Sequence, residues 1–156
     1  MSESGWRQVH AKVRDLMEGG YHCSEAFLLC VGEHVLGKMQ PSQLRAATGF
    51  AGGFGCTFQG ACGALTGGVM VLGLMYGRSS PAEDDGQCLR LVARYWEVFR
   101  QAFGTTECQL LRTNGYGSGG TKPCYELVID SIDVFRNILP GTDEPSVSTG
   151  VETTRK

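Results

Sequence analysis

Gly63-Ala64-Leu65-Thr66-Gly67-Gly68-Val69-Met70-Val71-Leu72-Gly73-Leu74-Met75-Tyr76 is apolar on nearly every side of a helical projection. A helix of that kind is buried all round rather than along one stripe. Other helices are therefore expected to wrap it, with Gly63, Gly67 and Gly68 offering a flat surface for close packing. Just upstream, Gly49-Phe50-Ala51-Gly52-Gly53-Phe54-Gly55-Cys56 is too rich in glycine for a regular helix and reads as a flexible loop or tight turns. Residues 48–77 carry no charge at all. A membrane span needs about 20 predominantly apolar residues. Here the strongly apolar part is shorter and ten glycines interrupt the run, so no stable membrane span is expected.

Outward from this centre the pattern is helical. Trp6, Val9, His10, Val13, Leu16 and Met17 share one face, and Gly19-Gly20 ends that helix. A second helix is predicted over 23–36, burying Ala26, Phe27, Cys30 and Val31. Pro41 suits the first turn of a short third one. Pro81 and Glu83-Asp84-Asp85 suit the first turn of a later helix whose core stripe reads as Leu89, Val92, Ala93, Trp96, Phe99 and Phe103. Gly104 ends it, and Thr105 is the expected N-cap of a short helix carrying Cys108. Residues 114–120 read as a mobile loop. Thr121 is the expected cap of a last helix with Leu127, Val128, Ile132, Phe135 and Ile138 on one side. No strand pattern or internal repeat is present. The expected fold is all-α: a single-domain helical bundle over 1–139, with a glycine-rich loop leading into a buried central helix and a disordered tail over 140–156.

Composition narrows the function. At 156 residues the chain is one domain by size. A net charge of −2 leaves no basic footprint for nucleic acid. Seven cysteines is a high and odd count, which excludes a fully paired disulfide scaffold. No charged segment followed by an apolar core opens the sequence, so the expected location is the reducing cytoplasm. In that compartment cysteines are more often metal ligands or redox groups than staples.

Four of them stand where helices are predicted to begin: Cys23 after Gly19-Gly20-Tyr21-His22, Cys62 within Gly60-Ala61-Cys62-Gly63-Ala64, Cys108 after Thr105-Thr106-Glu107, and Cys124 after Thr121-Lys122-Pro123. A helix start offers unpaired N–H groups and a positive dipole end, which favour negative sulfur. With Thr105 and Thr121 as caps, Cys108 and Cys124 would each be the third residue of their helix. The bland alternative is a small hydrophobe in the core; Cys30 and Cys88 are read that way. Cys56, in the glycine loop six residues before Cys62, is either an additional ligand or a resolving thiol. His22, beside Cys23, reads as a cap residue, and Glu25, Glu107 and Glu126 as first-turn dipole partners. The glycine run matches no nucleotide-binding fingerprint.

Cys62-Gly63-Ala64-Leu65-Thr66-Gly67 resembles the Cys-Gly-Ala-x-x-Gly signature of the C-GCAxxG-C-C family of redox-active proteins. Cys23-Ser24-Glu25-Ala26, Phe103-Gly104-Thr105-Thr106-Glu107-Cys108 and Cys124-Tyr125-Glu126-Leu127-Val128 fall in register with its other cysteine sites. The likeness covers about residues 5–139. It implies a small helical redox protein with Cys23, Cys62, Cys108 and Cys124 as the functional set. A similar domain in split-Soret cytochromes is associated with an iron–sulfur centre, which implies cluster binding here. Cys30, Cys56 and Cys88 are additions to the four-cysteine pattern.

Three functions are therefore expected in order. The first is a cysteine-ligated iron–sulfur cluster, or another metal such as structural zinc, used to carry or sense electrons with an unknown electron-transfer partner. The second is a thiol–disulfide redox protein with cycling cysteines. The third is a non-enzymatic assembly module, in which the glycine face builds a homodimer. Whether the chain is an enzyme stays open.

Overall fold

The structure is a computed structural model, and it describes residues 2–117 and 120–141. Among them there are helices and no strands, only two isolated bridges, Ala61 with Glu107 and Tyr116 with Lys122. The all-α expectation is met. The tail from 142 and residues 118 and 119 of the expected mobile loop lie outside the described residues. No helix among the described residues is long and apolar enough to cross a membrane.

The chain runs α1 (Glu3–Glu18), α2 (Cys23–Phe27), a π-helical stretch (Leu28–Gly32), α3 (Glu33–Leu36), α4 (Pro41–Thr48), α5 (Gly63–Tyr76), α6 (Gly86–Phe103), α7 (Cys108–Thr113) and α8 (Cys124–Arg136). The second expected helix is thus one continuous rod whose middle turn is widened. Ser2 caps α1 by accepting from the Gly5 N–H, and Gly104 closes α6 at a left-handed φ of 79°.

Four helices, α2, α5, α6 and α8, converge on one aromatic cluster. Phe135 meets Phe27 edge-on at 5.4 Å and Tyr95 at 5.2 Å, and Tyr95 meets Phe99 at 6.0 Å. All four rings are fully buried. Each such side chain stabilises the fold by roughly 1.5–3 kcal/mol relative to exposure. The glycines of α5 permit this approach. A Cβ on Gly67 would lie 2.8 Å from the Phe27 Cβ, and one on Gly68 would lie 2.4 Å from Tyr95 Cε1. The flat glycine face is therefore consumed inside the protomer, not left over for a dimer.

Three expectations are corrected here. First, α5 is not buried on every side: Thr66, Val69 and Met70 are only half-covered, and Gly73 and Leu74 are exposed. Second, the acidic run 83–85 precedes α6 rather than forming its first turn, with the Asp84 carboxylate accepting from the Gly86 N–H at 3.3 Å. Third, α6 buries Cys88, Tyr95 and Phe99, while Leu89 and Trp96 face solvent. The two sets share helical spacing and differ by one residue, or about 100° of rotation. Periodicity alone cannot choose between them.

Candidate functional site

The four helix-opening cysteines are set up by four different local devices. His22 precedes α2, its N–H held by the Glu25 carboxylate at 2.8 Å, so Cys23 is the first helical residue. Glu25 is itself buried and accepts from the Thr48 hydroxyl, while Ser24 donates to the Ala47 carbonyl at 2.8 Å. Together they pin the start of α2 to the end of α4. Cys62 is the N-cap of α5. Cys108 and Cys124 are the first residues of α7 and α8, behind Glu107 and Pro123. The expected caps Thr105 and Thr121 are thus displaced. Thr105 instead accepts from the Glu107 N–H at 3.2 Å in a turn ahead of the helix.

These four side chains line one cavity of about 180 Å³. The elements that bring the cysteines bring the rest of its wall by helical spacing. Leu111 and Arg112 follow Cys108 at i+3 and i+4, and Leu127 and Val128 follow Cys124 likewise. Gly52, Phe58 and Tyr116 complete it. Arg112 and Phe58 were not singled out in the sequence, although the spacing from Cys108 signals the arginine. Its guanidinium lies over the Phe58 ring, 3.8 Å from the centroid.

The loop between α4 and α5 explains the glycines. Residues 52–56 all have φ between 49° and 68°, a left-handed turn that includes the non-glycine residues Phe54 and Cys56; Phe58 is also left-handed. Each non-glycine residue there costs roughly 1–2 kcal/mol. Local bonds offset that cost, among them Gly55 N–H to Gly49 O, Cys56 N–H to Ala51 O and Phe58 N–H to Gly52 O, each 2.9 Å. The loop also docks on α7, since the N–H groups of Cys108 and Gln109 donate to the Gly60 and Phe58 carbonyls. Those two helix-start donors are therefore spent on backbone and not on sulfur.

Amide support is accordingly uneven. The N–H groups of Gly52, Ser24, Cys23 and Gly63 favour a negative Cys23 sulfur, and those of Ala64 and Leu65 do the same for Cys62. Cys108 and Cys124 have Arg112 instead. Burial outweighs these effects in every case. It pushes all four thiols up, Cys108 to about 11, and the neighbouring cysteines add to the rise at Cys62, Cys108 and Cys124.

Close approach to sulfur is built into the glycines. A Cβ on Gly63 would sit 2.2 Å from the Cys23 Sγ, and one on Gly117, at φ 69°, would sit 2.7 Å from the Cys124 Sγ. Cys56 lies outside the cavity and is exposed, its sulfur 3.3 Å from where a Gly52 Cβ would be. Cys30 and Cys88 are buried away from it; the Cys88 thiol points at the Leu72 carbonyl. Cys30 is pushed up to about 12 by burial.

Among the described residues, no group of three or more His, Cys, Asp or Glu side chains converges as a site for one metal ion. The described cysteines are all free thiols. A family model, "Putative redox-active protein (C_GCAxxG_C_C)", matches residues 21–138. No curated protein and no solved structure matches the chain.

Proposed function

The chain belongs to the C_GCAxxG_C_C family, and we propose that Cys23, Cys62, Cys108 and Cys124 together ligate an iron–sulfur cluster that carries or senses electrons. The observation that supports this reading is the shared cavity: four sulfurs from four helix starts face one apolar space. The donor set fits the group. The ligands of a multi-iron cluster are spread over two or more irons, so they surround a volume rather than meet at a point; a single tetrahedral zinc needs all four to converge, which no group among the described residues does. When bound, a cluster supplies a one-electron couple whose potential depends on charge, burial and hydrogen bonds to sulfur.

The chain's own residues then have separable tasks. The four thiolates hold the group. The amides of Gly52, Ser24, Gly63, Ala64 and Leu65 stabilise negative sulfur on one side, and Arg112 supplies positive charge on the other. Leu111, Leu127, Val128 and Phe58 exclude water. A thiol–disulfide cycle is the second reading; it too needs a thiolate, and burial raises all four thiols in the metal-free protein. Held as ligands, the four sulfurs would be deprotonated, so binding would release their thiol protons.

Anaerobic purification followed by iron, acid-labile sulfide and visible absorption measurements tests the reading. Iron and sulfide in comparable amounts, with sulfur-to-iron charge-transfer bands, are expected. Serine at any of the four positions lowers the iron content, whereas Cys88→Ser leaves it unchanged. A colourless protein lacking both elements after reconstitution with ferrous iron and sulfide overturns it.

A further inference from the structure

Two apolar stripes run side by side on α6. Cys88, Tyr95 and Phe99 face the core; Leu89, Val92, Ala93 and Trp96 repeat the i, i+3, i+4, i+7 spacing one step round the helix. Among the described residues the first is covered and the second left outside. Leu89 is 60% exposed and Trp96 44%, with Ala93 also exposed and Val92 half-buried. A tryptophan and a leucine one heptad apart make a continuous apolar ridge, and tryptophan is the side chain most enriched at the energetic centres of interfaces.

The charges around the ridge are arranged to complement those of a second copy of the chain. Glu83, Asp84 and Asp85 stand at the start of α6, and Arg100 stands near its end. At 100° per residue, Asp85, Leu89, Trp96 and Arg100 fall within about 60° of one another. Arg90 and Glu97, seven residues apart, share the solvent-side flank of the ridge. A second copy laid antiparallel about a two-fold axis near Val92 and Ala93 sets Leu89 against the partner's Trp96 and Arg100 level with the partner's Asp85. The same axis brings Arg90 towards the partner's Glu97. Every contact occurs twice, as a two-fold interface requires. A parallel copy would instead set Arg100 against Arg100 and Asp85 against Asp85.

We propose that this ridge is a homodimer interface in which α6 packs antiparallel on α6 of a second copy. In the protomer Asp85 pairs with Arg78 at 3.2 Å, and Glu97 pairs with Arg100 at 2.8 Å. All four side chains are substantially solvent-exposed, and such pairs contribute little, so re-pairing across the interface costs little. The proposal is independent of the cysteine cavity, whose walls come from other helices.

Light scattering on the full chain, across a dilution series, gives the mass directly. Twice the chain mass is expected at high concentration, falling towards one chain on dilution as Trp96 emission shifts to the red. Leu89→Glu with Trp96→Glu should give one chain mass with unchanged helical circular dichroism. Arg90→Glu alone and Glu97→Arg alone should each weaken dimerisation, and the double exchange should restore it. A monomer at every concentration overturns the proposal. So does a dimer that survives the Leu89/Trp96 double variant, which would use another face. Blue-shifted Trp96 emission in a monomer also overturns it, because another part of the same chain would then cover the ridge.

Discussion

A single methyl group at position 63 decides whether Cys23 can stay where it is. Its Cβ would lie 2.2 Å from that sulfur and 3.0 Å from the Ser24 amide. Gly63→Ala should therefore expel the Cys23 side chain, destabilise the fold by about 1–3 kcal/mol through overpacking, and remove iron binding. Urea melts and iron analysis read the two effects separately. Reactivity should divide the thiols as well. Iodoacetamide followed by mass spectrometry should label exposed Cys56 first and buried Cys62 last at neutral pH, in the metal-free protein. The glycine and cysteine positions were legible because their types are diagnostic. The caps were not, since Thr105 and Thr121 have better intrinsic cap chemistry than Glu107 and Pro123. Backbone pairing of the loop with α7 overrode that preference at Thr105, and pairing of Lys122 with Gly115 and Gly117 did so at Thr121.

At the scale of elements, the helices were readable from their periodicity and the left-handed loop was not. Phe54, Cys56 and Phe58 take positive φ without a local sequence signal that demands it. Backbone bonds inside the loop support all three, and Phe58 is held in addition by docking on α7 and by its place in the cavity wall. The face of α6 was unreadable for a different reason: Leu89/Trp96 and Cys88/Tyr95 are equally periodic, and the clearance at Gly68 for the Tyr95 ring settles the rotation. Gly68→Ala should accordingly cost about 1–3 kcal/mol by forcing that ring out of place. Denaturant midpoints would record this, and a wild-type midpoint would refute the close α5–α6 packing. Ser24→Ala, which leaves the Ala47 carbonyl without its buried donor, should cost about 1 kcal/mol and loosen the junction of α2 with the loop. Protection of the Gly52 amide from hydrogen exchange should fall with it.

For the molecule as a whole, the raised thiols fix a sign for pH. Protonated thiols are favoured in the folded, metal-free state, and the unfolded chain gives up its thiol protons near the ordinary value of 9.0. Above that pH the unfolded state binds fewer protons, so stability falls as pH rises towards about 11 to 12, where Cys108 and Cys30 ionise in the fold. Thermal melts of metal-free protein should show this decline. The same linkage makes metal loading tighter as pH rises, because binding releases protons. The most direct measurement is anomalous diffraction at the iron edge from crystals grown without oxygen. Anomalous density for two or more adjacent irons inside the cavity walled by Cys23, Cys62, Cys108 and Cys124 is predicted. Iron elsewhere, or these sulfurs joined as disulfides around a cavity with no anomalous peak, would contradict the account.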